Sequence, residues 1–422
     1  MKRSPLLIIF ITVFIDLVGF GIVIPVLPYY VEGTKFNASA RMVGLLFASY
    51  SIMQFLFTPV LGRLSDKHGR RPVLLVSLIG TSIGFLILGF ATTLWMLFLG
   101  RIIDGISGGN ISTAQAYIAD VTKPEDRAKG MGLIGAAFGL GFTLGPAIGG
   151  ILSHWGIGVP FIFAGCLALA NAVLLYFKLP ETITPDHPAR VSAALGRGWS
   201  NLVAALRRRR LALVLGVYFL FIVAFSIMTT TFALFTMYRF GYDPAHNGYL
   251  FMYVGIIGVI IQGGLIGRLV KTFGEMPLIL VGALLFALSL FAMPFTGPNT
   301  GLFTLLLIGG VFAVGNSLAT PSLTALASKS VGPAEQGTVL GVTQSAASLA
   351  RAVGPSIQAL LIYSAIKTQG LDGKLHDMSD QSLRATFWTA AAIMFAAFLL
   401  AAYLKATAWD QFAPGAATTA EN

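Results

Sequence analysis

Apolar residues run along this chain in long unbroken blocks, not in the short alternation of a half-buried strand. Crossing about 30 Å of hydrocarbon takes a helix of roughly 20 apolar residues, because only internally hydrogen-bonded backbone is tolerated in lipid. Six such windows cover residues 6–30, 42–61, 73–91, 94–118, 130–152 and 157–178, and six more cover 211–236, 247–267, 276–294, 299–325, 337–365 and 384–405. The pattern predicts an all-α membrane protein with twelve transmembrane helices. Residues 179–210, with Pro180, Pro185, Pro188 and the run Arg207 to Arg210, are too polar to cross. The expected organisation is a six-helix bundle over 1–178, a cytoplasmic linker over 179–210, and a second six-helix bundle over 211–422 ending in a polar tail. The opening Met1-Lys2-Arg3 and the apolar run after it read as a retained first span.

Composition agrees. Of 422 residues, 56% are hydrophobic and 11% charged, where soluble domains average about 25% charged; the mean hydropathy is +0.80. A net charge of +11 would on its own suggest a nucleic-acid partner, but the placement of the charges assigns it to topology. With the amino terminus inside, twenty Lys and Arg fall in loops on the inner side, and only Lys35, Arg41, Arg239, Lys367, Lys374 and Arg384 outside. That is a positive-inside distribution, with both termini cytoplasmic, membrane lipid as the partner and no nucleic acid. The single Cys166 lies in an apolar run and reads as inert packing. The histidines form no ligand-spaced cluster, so no metal or cofactor is expected. No Ser/His/Asp constellation, HExxH motif or nucleotide-binding loop points to an enzyme.

The halves echo each other. Gly62-Arg-Leu-Ser-Asp-Lys-His-Gly69 returns as Gly267-Arg-Leu-Val-Lys-Thr-Phe-Gly274, and Gly145-Pro146 in the fifth span returns as Gly354-Pro355 in the eleventh. Two pseudo-symmetric bundles facing a central cavity follow from such a repeat.

The loop Gly62 to Arg71 resembles the signature loop of the major facilitator superfamily. The glycine series Gly139, Gly141, Gly145-Pro146 and Gly149-Gly150 resembles that family's antiporter motif. Asp16, Gly19, Gly21, Pro25 and Pro28, together with Arg101, resemble the twelve-span drug:proton exporters, in appearance nearest to the tetracycline-efflux branch. The resemblance implies alternating access, with Gly62, Asp66, Gly69, Arg70 and Arg71 in a latch between the halves. Candidate partners of Asp66 are Arg70, Arg127 and the start of span eleven near Gly337. It also implies that Gly141, Gly145, Pro146 and Gly149 limit leakage. Unlike the tetracycline exporters, the span-three stretch Thr81 to Phe85 carries no acid, and neither does span nine.

Charges placed deep in the apolar windows supply candidate chemistry, because an ionised group in hydrocarbon is costly unless it meets water or a partner. Asp16 is the preferred proton carrier. Arg101 and Asp104, three apart on one helix face, form either a permanent ion pair or a proton and substrate relay. Asp120 sits at the inner end of span four, as a cap or part of the latch. For an amphipathic ligand the candidate cavity lining is Gln54, Asn110 and Gln115 in the first half. In the second it is Tyr218, Phe225, Met228, Phe232, Tyr253, Gln262, Asn316, Gln344 and Arg351. The Met228-Thr-Thr-Thr231 run is a candidate break in span seven. The leading expectation is a monomeric secondary transporter of the bacterial inner membrane that exports small drug-like compounds against protons. The alternative is a proton-coupled carrier of an endogenous sugar or organic anion.

Overall fold

A computed structural model describes residues 5–33, 35–122, 127–182, 207–331, 336–363 and 367–408. The first half contains α1 (Pro5–Glu32), α2 (Ala40–His68), α3 (Arg70–Gly89), α4 (Leu94–Ser107), α5 (Asn110–Val121), α6 (Arg127–Leu152) and α7 (Val159–Lys178). The second contains α8 (Arg209–Phe240), α9 (Pro244–Ile260), a π-helical turn Ile261–Leu265, α10 (Ile266–Phe273), α11 (Glu275–Ala292), α12 (Gly301–Lys329), α13 (Gln336–Leu361) and α14 (Asp380–Ala408). A small hairpin, β1 (Thr368–Gln369) and β2 (Leu375–His376), precedes α14. Taking α4 with α5, and α9 with α10, as single broken spans gives twelve crossings in two bundles of six, a multi-pass membrane protein.

Ten described segments are by themselves long and apolar enough to cross a membrane. The fourth crossing is interrupted at Gly108-Gly109, where the sequence predicts one helix over 94–118. Glycine permits the break because α2 passes so close: a Cβ at Gly105 would meet Met53 Cβ at 2.9 Å, one at Gly108 the Tyr50 hydroxyl at 2.6 Å, and one at Gly109 Thr58 Cα at 3.0 Å. Residues 183–206 of the expected 179–210 linker, and the tail beyond residue 408, lie outside the described residues. The Met228 to Thr231 run does not break its helix. Thr230 and Thr231 donate back to the Ser226 and Ile227 carbonyls at 2.9 and 2.6 Å, and α8 runs through. Cys166 is exposed on α7, not packed as its apolar context predicts.

With no hydrophobic drive between helices in lipid, close backbone contact at small residues holds bundles together. The duplication appears in these contacts. A Cβ on Gly145 would lie 2.7 Å from the Val18 carbonyl of α1, and one on Gly354 would lie 2.8 Å from the Val223 carbonyl of α8. Gly84 of α3 abuts the Gly100 carbonyl of α4 as Gly282 of α11 abuts the Gly315 carbonyl of α12. Gly141 and Gly149 extend the first contact along α1, against Leu17 and Ile22. α6 continues through Pro146.

The two halves meet along α2 with α13 and α6 with α9. On the face opposite the Gly62–Arg71 loop, the far face, this contact is tight. Gly44 lies against Pro355 and Gln358, Gly150 against Pro244 and Gly248, and the Tyr29 hydroxyl donates to the Tyr242 carbonyl at 2.7 Å. Toward the loop face the same helices part. Added Cβ atoms at Gly62, Gly132, Gly135 and Gly139 in one half, and at Gly263, Gly264 and Gly267 in the other, would meet nothing within 4 Å. Among the described residues, the molecule is closed on the far face and open on the loop face.

Candidate functional site

Asp16 of α1, Arg101 and Asp104 of α4, and Asn110 at the start of α5 converge at mid-span. Asn110 Nδ2 donates to Asp16 Oδ1 at 3.2 Å, and Arg101 donates to Asp104 Oδ2 at 2.8 Å. Arg101 is wholly buried and Asp104 nearly so. The helix break at Gly108-Gly109 brings Asn110 to Asp16. Asp16 stands close enough to Asp104 to feel its charge. Arg101 Nε and Nη2 and Asn110 Oδ1 have no hydrogen-bond partner among the described residues. A buried guanidinium with two idle nitrogens is costly, and one stacking contact offsets part of that cost.

That contact is Tyr50, which sequence reasoning missed. Its ring centroid lies 4.1 Å from the Arg101 guanidinium carbon, a cation–π contact in a buried site. Gln54, one turn along α2, donates to the Tyr50 hydroxyl at 3.1 Å and to the Gly108 carbonyl at 2.9 Å. Its Oε1 accepts from Ser348 of α13 at 3.3 Å, linking the cluster to the second half. Tyr50 lies within electrostatic reach of Asp16, Asp104, Arg101 and Arg351 together. Its only sequence signal is the Tyr50-x-x-x-Gln54 spacing on one helix face.

From Tyr50 an aromatic bridge crosses the molecule. Phe20 lies 5.6 Å from Tyr50 and 5.6 Å from Phe142, Phe142 packs edge-on to Phe225 at 6.2 Å, and Phe225 stacks on Phe312 at 6.3 Å. Phe142 belongs to the first half and Phe225 to the second. Phe20, Phe142 and Phe312 are further residues that sequence reasoning passed over, since single phenylalanines in a span carry no signal.

Of the predicted cavity lining, Gln54, Asn110, Phe225, Tyr218 and Arg351 come to this centre; Arg351 faces Tyr218 and Tyr50 and donates to Ser348 Oγ at 3.2 Å. Gln115 and Gln344 are half-buried. The others sit within the second half. Met228 is core, Phe232 packs edge-on to Phe251, and Tyr253 donates to the Leu306 carbonyl at 3.2 Å. Gln262, in the π-helical turn, reaches Ser317 at 3.5 Å, and Asn316 accepts from Thr320 at 3.0 Å.

At the loop face the structure revises the predicted latch. Gly62 to His68 is helix, not turn, and the chain reverses only at Gly69, whose φ of +103° favours glycine. Asp66 and Asp120 both pair with the buried Arg70, Asp120 at 3.1 Å. Arg70 is thus the candidate partner that Asp66 meets, and the carboxylate at the amino end of α3 is Glu181. Glu181 accepts from the Arg70 and Arg71 backbone N–H groups at 2.9 and 3.0 Å, satisfying donors that a helix start leaves orphaned. Arg71 packs over the Tyr176 ring. The side chain of Arg127 and the region of Gly337 fall outside the described side chains. In the second half, Glu275 beside Gly274 pairs instead with Lys329.

The family model described as Major Facilitator Superfamily matches residues 9–355. A tetracycline resistance protein, class H, from Pasteurella multocida is 31% identical over 408 residues, covering 96% of each chain. Multidrug resistance protein 2 of Bacillus subtilis is 31% identical over 368 residues, 85% of this chain and 89% of that one. Among solved structures, the human organic anion transporter MFSD10 (TETRAN) superimposes with a TM-score of 0.69 at 26% identity, covering 95% of this chain and 99% of that one.

Proposed function

The chain belongs to the Major Facilitator Superfamily, and from that membership we propose that it exports small amphipathic, drug-like compounds in exchange for protons by alternating access. As a member it is a secondary transporter that moves a small solute across a membrane and has no catalytic role. The observation that carries the finer reading is the buried Arg101–Asp104 pair beside Asp16, next to an aromatic bridge that joins the two halves.

In this reading the loop face is cytoplasmic, as its excess of Lys and Arg requires, and the open cleft admits substrate from inside. Phe20, Phe142 and Phe225 offer aromatic surface to an apolar body, while Asp16, Gln54 and Asn110 offer polar anchors. Substrate in the cleft favours the ionised carboxylates, and protons leave to the cytoplasm. After the halves rock, Asp16 and Asp104 meet outside water, take up protons and lose their hold on the substrate. Arg101 keeps Asp104 in place throughout, with Tyr50 covering the guanidinium. The glycine contacts between α6 and α1 keep the first bundle rigid as it pivots. The protein acts as a monomer in a bacterial inner membrane, with both termini cytoplasmic.

The names of the tetracycline and multidrug resistance relatives support a drug-like substrate. The missing acids in spans three and nine argue against a metal–tetracycline chelate. In proteoliposomes, Asp16→Asn is expected to abolish exchange driven by a pH gradient. Undiminished gradient-driven exchange would reject the assignment.

A second reading, transport of an organic anion, is favoured by one observation. Arg351 faces the centre and pairs with no carboxylate among the described residues. Saturable counterflow of a single anionic compound, with no response to lipophilic cations, would put this reading first.

A further inference from the structure

The far face is held shut by a device that the transport site does not use. Between α13 and α14 the β1–β2 hairpin is anchored to its own half by Tyr238 of α8. The Tyr238 hydroxyl donates to Thr368 Oγ1 at 2.9 Å, its carbonyl accepts from Leu371 N at 2.8 Å, and its ring meets the His376 ring edge-on. The hairpin then reaches into the first half at two points. His376 Nδ1 lies 2.6 Å from Glu32 Oε2 at the end of α1, and Asp377 Oδ1 accepts from Ala40 N at 3.0 Å, the first residue of α2. Ser39, the ordinary capping position of α2, makes no side-chain cap bond, so Asp377 caps that helix from across the interface.

His376 also places Nε2 2.9 Å from Asp372 Oδ1. With both carboxylates ionised, only an imidazolium donates from both ring nitrogens. Glu32 and His376 are each more than nine-tenths buried, and Glu32 Oε1 has no partner among the described residues. Glu32 stands at a helix carboxyl end, where a negative charge is disfavoured, and among the described residues its ion-pair partner is His376. The groups facing this ring are therefore Glu32 from α1, Asp372 from the hairpin and the Tyr238 ring from α8, with Asp377 adding its charge to Glu32.

We propose that His376 is a proton-binding site separate from Asp16 and Asp104, and that a proton bound there clasps the two halves together on the far face. Neutral imidazole leaves Glu32 buried beside Asp372 without a counter-charge, and separation of the halves returns both carboxylates to water. Protonation thus closes this face and deprotonation loosens it. Burial pushes the His376 imidazolium down, but hydrogen bonds and charge from Glu32 and Asp372 outweigh it and hold the group up to about 8. A group raised in the closed form stabilises that form fully below its ordinary value near 6.5, and the contribution is lost as pH rises through about 8. The inference rests on the alternating-access reading above. If the far face is external, an acidic exterior shuts the outer gate on the side from which protons arrive.

The test uses the full chain in lipid nanodiscs, with Cys166→Ala and spin labels at Thr93→Cys and Asn299→Cys, exposed far-face sites on opposite halves and away from the clasp. Wild type is expected to hold one short distance at low pH and to gain a longer one with a midpoint near pH 8. His376→Gln is expected to show the longer population at every pH. Glu32→Gln, which keeps the histidine, is expected to lower the midpoint by about one pH unit. Asp16→Asn is expected to leave the midpoint unchanged. A His376→Gln protein that titrates like wild type, or an Asp16→Asn protein that loses the transition, overturns the proposal. Loss of drug exchange with this transition intact removes the export reading and leaves the clasp.

Discussion

At the residue scale, the centre depends on a cation whose partners come from two helices, α4 and α2. Arg101 has one carboxylate, the Tyr50 ring at 4.1 Å, the more distant Phe47 ring at 6.0 Å and two idle nitrogens, so each contact matters. Tyr50→Phe keeps the ring over the guanidinium and loses only the acceptor for Gln54. Tyr50→Leu removes the cation–π contact, about 2 kcal/mol in a desolvated site. Thermal unfolding in detergent is therefore expected to fall by several degrees for Tyr50→Leu and hardly at all for Tyr50→Phe; equal losses would show that the ring does not stabilise Arg101. Asp16, Arg101 and Asp104 were legible in the sequence because an ionisable residue inside an apolar window is a signal by itself. Tyr50 was not, since a tyrosine in a span is ordinary and its partner is found only through the crossing of α2 and α4. Glu181 was hidden differently, in a stretch that reads as linker, and its target is backbone rather than a side chain.

At the element scale, glycines divide into those already in contact and those facing the open cleft. Gly145 is in contact with α1, whereas Gly139, on the same helix and in the same motif, faces open space. Gly145→Val is expected to destabilise the protein in either conformation, since the Val18 carbonyl leaves no room for a side chain. Gly139→Val is expected to keep the wild-type melting temperature and yet lose transport, because a loop-face glycine meets the opposite half only when that face closes. Equal melting temperatures for the two variants, or full transport by Gly139→Val, would contradict this division. The existence and order of the spans were legible from hydropathy. The break at Gly108-Gly109 and the π-helical turn at Ile261–Leu265 were not, because glycine is common in unbroken membrane helices and only a neighbouring helix decides where one yields.

For the whole molecule, duplication was legible in the Gly62/Gly267 and Gly145/Gly354 echoes, and the contacts with Val18 and Val223 give that repeat a structural meaning. The resting conformation was not legible, because one sequence must support both the open and the closed arrangement of each face. The lopsided charges follow the same logic. Asp16, Arg101 and Asp104 lie in the first half, Arg351 lies in the second, and the His376 clasp joins the two, so pivoting changes the surroundings of each in turn. Selective exchange requires that substrate and protons compete for the same central groups. Addition of substrate to the lightly buffered, purified protein measures this most directly. The wild type is expected to release protons on binding, and Asp16→Asn and Asp104→Asn are each expected to release fewer. Proton release that is absent from wild type for every compound it transports, or unchanged in both variants, would contradict the account.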